Sequence, residues 1–523
     1  MDSEILADTQ QHAARLQQDV GRWLTQSSLM DGPQRNQGGE DEANYALTWF
    51  PHFLITGDGA VLARCRSLLA DLAGWVAADC LHGYEPEAEA HHGTEPFLLF
   101  LPRYLGLVPD DHVARSLLED AAHHVGNWVP EIPPWYDYER DVFRGYSIGS
   151  RVVDDAPQYQ VELTEHLRFV HIALAAHRVL GDDRYLQWAL RYGGKRAERL
   201  VKASDPLPLG WDLDGTELHW QDAGTRPQFG GMCALGHKIS GDPLGGVENH
   251  LASGAVMAYA DLYAASGDVL FQQAARRIVE PLIGQLADPF GDPAAAAVSH
   301  YRIAFGDTSY DAAALQAINS APPQNDAPWV LMEPEERKRR EPGIGKRSDM
   351  LYWGEFSEDG SARPLREPST AASTLAFQIS GDVAYARRAL QGAARKFGIA
   401  LRILRGGREH ADMGGAICSV AAGHGRNWGT GAVTGCYGSL LLGCQEIRGA
   451  VEPAVHLRDA DGIARVPHGM LSLVRPAVGP EAGELLLFNG GDTDVTLTWC
   501  AAAGRQASET VSAGATLRRP LEG

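Results

Sequence analysis

The chain has 523 residues and a formal net charge of −21, with 67 acidic side chains against 46 basic ones. This length is enough for a large hydrophobic core and for more than one domain. A chain this acidic is not expected to bind nucleic acid, because neutralising phosphates requires a basic surface. An anionic small substrate is still compatible with the composition, because it needs only a local basic pocket.

The N-terminal segment and the cysteines bear on the compartment. Residues 1–20 contain early acids and an amphipathic helical pattern, with no basic segment followed by an apolar stretch, so we expect no signal peptide. No apolar run approaches the ~18 residues that a membrane span needs. The 7 scattered cysteines are typical of reduced, buried thiols. We therefore predict a cytoplasmic protein with no membrane partner.

A helical pattern interrupted by Gly-Asp recurs along the first 450 residues. A degenerate copy lies at residues 109–111, and the clear copies are centred on Gly57-Asp58, Gly181-Asp182, Gly267-Asp268 and Gly381-Asp382. Glycine favours the left-handed conformation that ends a helix, and aspartate caps the helix that follows. Each copy therefore predicts a helical hairpin, and neighbouring hairpins must pack side by side to bury their apolar faces.

The spacing of these copies predicts the architecture. A straight solenoid would keep a tight period, whereas irregular loops rich in Gly, Pro and Trp separate these copies. We therefore predict a mainly α fold, an (α/α)6-7 toroid over residues 1–450 with its long loops around a cleft. Residues 483–499 alternate apolar and polar side chains around Asn489-Gly490-Gly491, which favours a β-hairpin within the region 451–523. We predict a small β-sandwich-like C-terminal domain there.

The strongest candidate for catalysis is the segment 244–263. We expect its helix to begin near Glu248, Asn249 and His250, because apolar residues with helical spacing follow them. A helix N-terminus supplies free N–H groups and a partial positive charge, which suit a carboxylate ligand. The same field lowers the pKa of an imidazole, so His250 would be neutral and able to act as a base. A capping Asn249 beside a solvated histidine would give the same pattern without any function.

A second candidate is the segment 299–311, which we interpret as a loop or a short strand. It contains Tyr301, Arg302 and Tyr310 close together in sequence. A tyrosine can act as a general acid or base if a nearby cation lowers its pKa. A surface contact between tyrosine and arginine would explain the segment equally well.

Further candidates for substrate binding are spread along the chain. Close glycines let the backbone approach a ligand, an arginine can bind a carboxylate with two hydrogen bonds, and a tryptophan can stack on a sugar. We also place Glu162, Glu165 and His166 on one face of a helix, where a Glu–His pair could be purely structural. The predicted substrate-binding residues are Arg302, His424, Arg426, Trp428, Tyr352, Trp353, Glu355, His92, Glu165 and His166.

We expect no cofactor and no metal. The alternative is a divalent ion at His91, His92 and Glu95, whose spacing matches no specific zinc motif. Adjacent histidines point to different sides of any regular element, which argues against shared coordination.

The chain resembles the α/α-toroid polysaccharide lyases, which include alginate and heparinase-type lyases, and the related α/α-barrel glycoside hydrolases. The resemblance rests on the helical hairpins, the β appendage, and Asn249-His250 followed about fifty residues later by Tyr301. In fold it covers most of the chain, whereas its motifs cover only residues 248–250 and 300–310.

The resemblance implies roles for individual residues. Asn249 would neutralise a uronate carboxylate, and His250 would be the base or a second neutralising group. Tyr301 would be the acid/base, in competition with Tyr310, because the sequence does not choose between them.

The resemblance is less specific about the arginine and about the acidic residue that precedes Asn249. The resemblance implies that Arg302 or Arg426 accompanies the asparagine. Many members carry a second asparagine where this chain has Glu248. A protonated Glu248 could hydrogen-bond to the carboxylate, or it is the catalytic acid of a hydrolase.

The sequence therefore predicts a carbohydrate-active enzyme that cleaves uronate-containing oligo- or polysaccharides by β-elimination. The alternative is a glycoside hydrolase on the same fold, a glucuronidase or unsaturated-uronyl hydrolase that uses two carboxylates. A sugar epimerase and a non-catalytic carbohydrate-binding protein are further interpretations, because fold alone separates none of them. The expected partner is an anionic oligosaccharide, and the sequence leaves the oligomeric state open, a homo-oligomer included.

Overall fold

The protein is mainly helical, with a C-terminal β region, as predicted. In the computed structural model, the described residues are 3–30, 49–86, 88–90, 94, 96–125, 130, 135–145, 147–151, 160–219, 246–286, 292–320, 370–405 and 436–522. The α-helices in these ranges are α1 (Ser3–Met30), α2 (Trp49–Thr56), α3 (Gly59–Asp79), α4 (Leu101–Leu107), α5 (His112–His123), α6 (Arg168–Leu180), α7 (Asp183–Lys202), α8 (Val247–Ala252), α9 (Ala255–Ser266), α10 (Val269–Val279), α11 (Asp292–Phe305), α12 (Asp311–Asn319), α13 (Thr370–Ser380), α14 (Val383–Arg405) and α15 (Tyr437–Leu441). None of them combines the length and apolar composition of a membrane span.

The predicted Gly-Asp turns join these helices in pairs. Their glycines, at 57, 181, 267 and 381, adopt left-handed φ values of 68°, 73°, 71° and 70°. In each turn the aspartate accepts a hydrogen bond of 2.9 Å from the backbone N–H two residues later. In the degenerate copy, Asp111 caps α5 by accepting from the N–H groups of Val113 and Ala114. The hairpin predictions are therefore confirmed.

One further hairpin corrects the sequence analysis. Segment 299–311 is mainly helical, because α11 runs through Phe305 and α12 begins at Asp311, and only residues 306–310 form a turn. Gly306 takes a φ of 63°, and Asp307 accepts from the N–H of Ser309 at 2.9 Å. The alanine run at 294–297 favours a helix here. Tyr301 therefore lies on α11, and Tyr310 lies at the end of another Gly-Asp turn.

The two helices of a hairpin differ in burial. All residues of α6 from Arg168 to Ala176 are buried, and so are all residues of α13 from Thr370 to Gln378. In contrast, α7 and α10 bury one face each. The first helix of these hairpins is therefore internal and the second faces outward. Helix α14 packs along α1, which also contacts α2, so the two ends of the helical region are neighbours.

The C-terminal strands form small antiparallel sheets. The strands among the described residues are β1 (Ala88–Glu89), β2 (Tyr136–Asp137), β3 (Val142–Phe143), β4 (Ser147–Ile148), β5 (Val161–Leu163), β6 (Gly210–Asp212), β7 (Glu217–Leu218), β8 (Gln445–Ile447), β9 (Ala450–Glu452), β10 (Val455–Asp459), β11 (Met470–Arg475), β12 (Glu484–Asn489), β13 (Val495–Ala501), β14 (Gln506–Val511) and β15 (Thr516–Pro520). In the C-terminal region, β11 and β15 flank β12 in one sheet, while β10 and β14 flank β13 in another.

The predicted β-hairpin at Asn489-Gly490-Gly491 is wrong. Strands β12 and β13 on either side of it belong to different sheets. The buried side chain of Asn489 donates to the carbonyls of Thr493 and Val511, at 2.8 and 2.9 Å. These bonds hold the chain as it crosses from one sheet to the other, where a hairpin would have returned it to the same sheet.

The β region packs against the end of the helices where the Gly-Asp turns lie, which we call the turn end. A Cβ atom on Gly57 would lie 2.9 Å from the carbonyl oxygen of Ala464, and one on Gly306 would lie 3.1 Å from the backbone of Gly479. The opposite end of the helices, where α6 and α9 begin, is called the far end below.

A tight hairpin of β8 and β9 contacts the helices with its tip. Arg448 and Gly449 at this tip have φ values of 45° and 76°. A Cβ atom on Gly449 would lie only 2.4 Å from Cβ of Pro102. The N–H of Arg448 donates to the carboxylate of Asp261 on α9, at 2.9 Å. The hairpin thus joins the β region to α4 and α9.

We expect Gly449→Ala to lower the free energy of unfolding by ~1–3 kcal/mol more than Gly462→Ala. Both glycines have a positive φ, of 76° and 78°, so both variants carry the same backbone strain. Only Gly449 also faces a close neighbour, because nothing lies within 4 Å of a Cβ on Gly462. Thermal unfolding followed by circular dichroism measures the difference, and equal losses would contradict the docking of the tip.

The stability of the protein should depend on the charge of Asp261. Burial raises the pKa of this carboxyl to about 7, although the N–H of Arg448 opposes the shift. The neutral form therefore stabilises the fold below the ordinary carboxyl pKa, and this contribution is lost as the pH rises through about 7. Asp261→Asn, which stays neutral, should melt several degrees higher than the wild type at pH 8 and similarly to it at pH 4. Asp214→Asn, at a carboxylate that is 91% exposed, is the control and should shift neither melting temperature.

Candidate functional site

Asn249 and His250 lie on α8, a short helix at the far end. The predicted continuous helix over 248–263 is wrong, because Gly254 has a φ of 67° and separates α8 from α9. Helix α8 has only 6 residues, and Gly246, not Asn249, occupies its N-cap position. A helix this short provides little of the N-terminal field expected from the sequence. The properties of His250 must therefore come from its surroundings.

Asn249 and His250 are buried with unsatisfied polar atoms. Their exposed fractions are 3% and 1%. Among the described residues, neither Oδ1 of Asn249 nor either ring nitrogen of His250 has a hydrogen-bond partner of ordinary geometry. A buried polar group without a partner costs roughly 1–3 kcal/mol and is uncommon in folded proteins. Within the described residues, these atoms therefore have unused hydrogen-bonding capacity.

Burial lowers the pKa of His250 to about 3, and the positive charge of Arg196 adds to this effect. The carbonyl of Pro208 opposes the shift only in part. His250 is therefore neutral at pH 7, as the sequence predicted. The cause is different, because burial and a buried arginine replace the helix dipole.

The predicted residues Glu165 and His166 lie on a 3-10 turn, Thr164–Leu167, that packs against α8. Nδ1 of His166 accepts from the N–H of Leu163 at 3.0 Å, so its Nε2 carries the proton and donates to the carbonyl of Gly145 at 3.1 Å. The single helix face predicted for Glu162, Glu165 and His166 is wrong, because residue 162 lies on β5. The structure nevertheless brings the turn next to Asn249 and His250.

Two further imidazoles are buried on α6 and α11. Nε2 of His171 donates to the carbonyl of Ser253, at 3.2 Å, and joins α6 to the break between α8 and α9. His300 on α11, a helix that also packs against α8, has no partner for its Nε2 among the described residues. Burial lowers the pKa of both imidazoles to about 4. All these rings are thus neutral at pH 7.

A buried ion pair that the sequence analysis did not predict lies close enough to His250 to affect its pKa. Glu162 and Arg196 are 0% and 1% exposed, with 3.3 Å between Oε2 and Nη1. Arg199 approaches the same oxygen at 2.6 Å. The Arg196 guanidinium lies 4.6 Å from the centre of the Trp211 ring. Two arginines against one carboxylate leave a net positive charge, which favours an anionic ligand nearby.

Tyr301 and Tyr310 lie at the turn end. The hydroxyl of Tyr301 donates to Asp307 at 2.8 Å, and the hydroxyl of Tyr310 accepts from Nε of Arg276 at 2.9 Å. Burial raises the pKa of both phenols, with a further contribution from Asp307 at Tyr301, whereas the sequence analysis expected a cation to lower it. The structure therefore does not bring these hydroxyls together with His250.

Arg302 also has a structural environment. Its guanidinium is 2.8 Å from the carboxylate of Asp311 and 2.9 Å from that of Glu481 in the β region. The first contact joins α11 to α12, and the second holds this hairpin against the β region.

The remaining predicted site residues lie outside the described part of the structure, wholly or in their side chains. The side chain of Glu248 is not described, although its backbone belongs to α8. The predicted residues outside the described ranges are His92, Tyr352, Trp353, Glu355, His424, Arg426 and Trp428, together with His91 and Glu95 of the metal site considered above.

Comparison with known proteins gives no family for the chain. No protein-family model matches the sequence, and no curated protein matches it significantly. Function must therefore be argued from the residues themselves.

Removing Arg196 should be far more costly than removing an exposed arginine. Arg196→Met leaves Glu162 with less compensation in a buried position, and we expect a loss of ~3–5 kcal/mol in the free energy of unfolding. Arg184→Met breaks the pair with Asp182, in which the arginine is 63% exposed, and should cost less than about 1 kcal/mol. Chemical denaturation measures both, and similar losses would refute a buried charge cluster.

Proposed function

We propose that the hairpins close into an α/α ring, with α6, α9, α11 and α13 among its inner helices. Two features support the ring. The first helices of hairpins are buried on all sides, and α14 near the end of the helical region packs along α1 at its beginning. In such a ring the β region lies at the turn end and a substrate reaches the far end.

We propose further that the protein is a carbohydrate-active enzyme that cleaves uronate-containing oligosaccharides by β-elimination. The observation that carries this proposal is the buried pair Asn249 and His250. Oδ1 of Asn249 and both ring nitrogens of His250 lack a hydrogen-bond partner of ordinary geometry among the described residues. A neutral imidazole beside an amide, within the electrostatic influence of Arg196, suits an anionic sugar.

In this proposal Asn249 and His250 have separate roles. The Nδ2 group of Asn249 donates to the uronate carboxylate, and this hydrogen bond strengthens as negative charge develops there in the transition state. His250 removes the proton from the carbon beside the carboxylate, and the electron pair forms the new double bond. The glycosidic C–O bond breaks, and the His250 imidazolium returns the proton to the leaving oxygen. Its low pKa in the free protein makes it a weak base. A bound carboxylate stabilises the imidazolium and raises that pKa towards the working pH, so the base becomes effective only in the complex.

A glycoside hydrolase is the second candidate, and the position of Glu165 favours it. This residue is 1% exposed and lies on the turn that packs against α8, which also carries Glu248. A hydrolase needs two carboxylates on opposite sides of the scissile bond. Our lyase proposal omits Tyr301 and Tyr310, whose hydroxyls bond within the turn end.

The test is ultraviolet absorbance with a panel of uronate oligosaccharides. New absorbance from a conjugated uronate indicates elimination, and its loss from already unsaturated oligomers indicates the hydrolase. New reducing ends without any change of absorbance would exclude both the lyase and the unsaturated-uronyl hydrolase.

Variants locate the activity. His250→Gln and Asn249→Ala should each lower kcat by ~10²-fold or more, because each removes a group that acts in the transition state. Tyr310→Phe, a change at the turn end, is the matched control and should retain the wild-type rate. Melting temperatures confirm that each variant is folded. Near-normal rates for His250→Gln and Asn249→Ala would place the chemistry elsewhere.

A further inference from the structure

A second group of imidazoles lies apart from α8, between two neighbouring helical segments. His82 lies in the turn after α3, and Asp120 and His124 lie one helical turn apart at the end of α5. Both helices run from the turn end towards the far end. One ligand atom of each residue lies within 4.8 Å of those of the other two.

The arrangement of the three side chains is compact. Oδ1 of Asp120 lies 2.9 Å from Nδ1 of His82 and 3.3 Å from Nδ1 of His124. The two rings are stacked, with 3.4 Å between their centres and 10° between their planes. Nδ1 of His124 also donates to the backbone carbonyl of Asp120 at 2.6 Å, so Asp120 accepts hydrogen bonds from both imidazoles.

These distances are close to those of a metal site. Two ligand atoms on one tetrahedral zinc ion lie about 3.3 Å apart, because zinc–nitrogen and zinc–oxygen bonds are about 2.0–2.1 Å. The two Nδ1–Oδ1 separations of 2.9 and 3.3 Å are near this value. The stacked rings would have to rotate out of their parallel arrangement before both nitrogens could point at one ion, because the lone pair of an imidazole nitrogen lies in the ring plane.

The backbone of His82 is held in an uncommon conformation. Its φ of 54° is left-handed, which costs a residue other than glycine of order 1 kcal/mol or more. The pairing of Leu81 with Tyr84 closes this turn, and the Tyr84 hydroxyl donates to the carbonyl of Ala121 at 2.8 Å. The turn is therefore anchored to α5, and the strained residue is the one that lies over His124. Backbone strain of this kind is concentrated at functional sites.

The exposure of the group is compatible with binding. The side chains of Asp120 and His82 are 44% and 26% exposed, so an ion can reach them from solvent.

We propose that His82, Asp120 and His124 bind a divalent transition-metal ion of the zinc type. Two imidazole nitrogens and one carboxylate oxygen suit zinc and its neighbours in the first transition row, whereas calcium and magnesium prefer oxygen ligands alone. When each Nδ1 binds the ion, its neutral ring carries the proton on Nε2. Three protein ligands leave a fourth position for water or another ligand. This proposal is independent of the proposed function.

The experiment uses the full chain after treatment with a chelator. Calorimetric titration with zinc chloride should show one binding site, formed by the triad of His82, Asp120 and His124. Cobalt(II) bound at this site should give the visible absorption of a tetrahedral complex. Asp120→Asn and His82→Asn should each weaken zinc binding tenfold or more. His123→Ala changes a neighbouring histidine outside the triad and should bind zinc as the wild type does.

His82→Asn separates binding from folding. Asparagine adopts a left-handed backbone more readily than histidine, so the metal-free variant should melt at or above the temperature of the wild type. Zinc should raise the melting temperature of the wild type and leave that of this variant unchanged. The proposal is overturned if the chelator-treated wild type binds no zinc, or if both triad variants bind it with wild-type affinity.

Discussion

One backbone event, a left-handed glycine followed by a capping aspartate, organises the helical region. It ends one helix, satisfies a free N–H group of the next helix, and reverses the chain within two residues. Because the event recurs at Gly57, Gly181, Gly267, Gly306 and Gly381, all these turns share one geometry. Several of them meet the β region, and the opposite helix ends are left for the buried histidines. The turn chemistry therefore separates a structural end from a candidate functional end.

Local chemistry explains what could be predicted from the sequence. The Gly-Asp turns and the alternating C-terminal strands are encoded in short segments, and the structure contains both. The turn at Gly306 was not predicted, although Gly306-Asp307 carries the same Gly-Asp signal as the other turns. The crossing at Asn489 could not be predicted, because its side chain bonds to Val511, which is distant in sequence.

The candidate site was predictable only in part. Asn249 and His250 were chosen for a helix N-terminus, yet a charge more than fifty residues away, on Arg196, helps to set the state of His250. The partnership of His82 with Asp120 and His124 is also non-local. Its only local signal is the spacing of Asp120 and His124, which places both on one helix face. Pairings between distant elements need the tertiary fold, and a single sequence does not supply them.

The contact between Asp261 and the tip of the β8–β9 hairpin has a consequence for the unity of the molecule. The β region follows the helices in sequence, but its first hairpin supplies a hydrogen bond to a carboxylate buried within them. Without that hairpin, the helical region would expose the apolar surface around Pro102 and lose the partner of Asp261. We therefore expect the two regions to unfold together, so that a protease cut between them does not release a stable helical fragment.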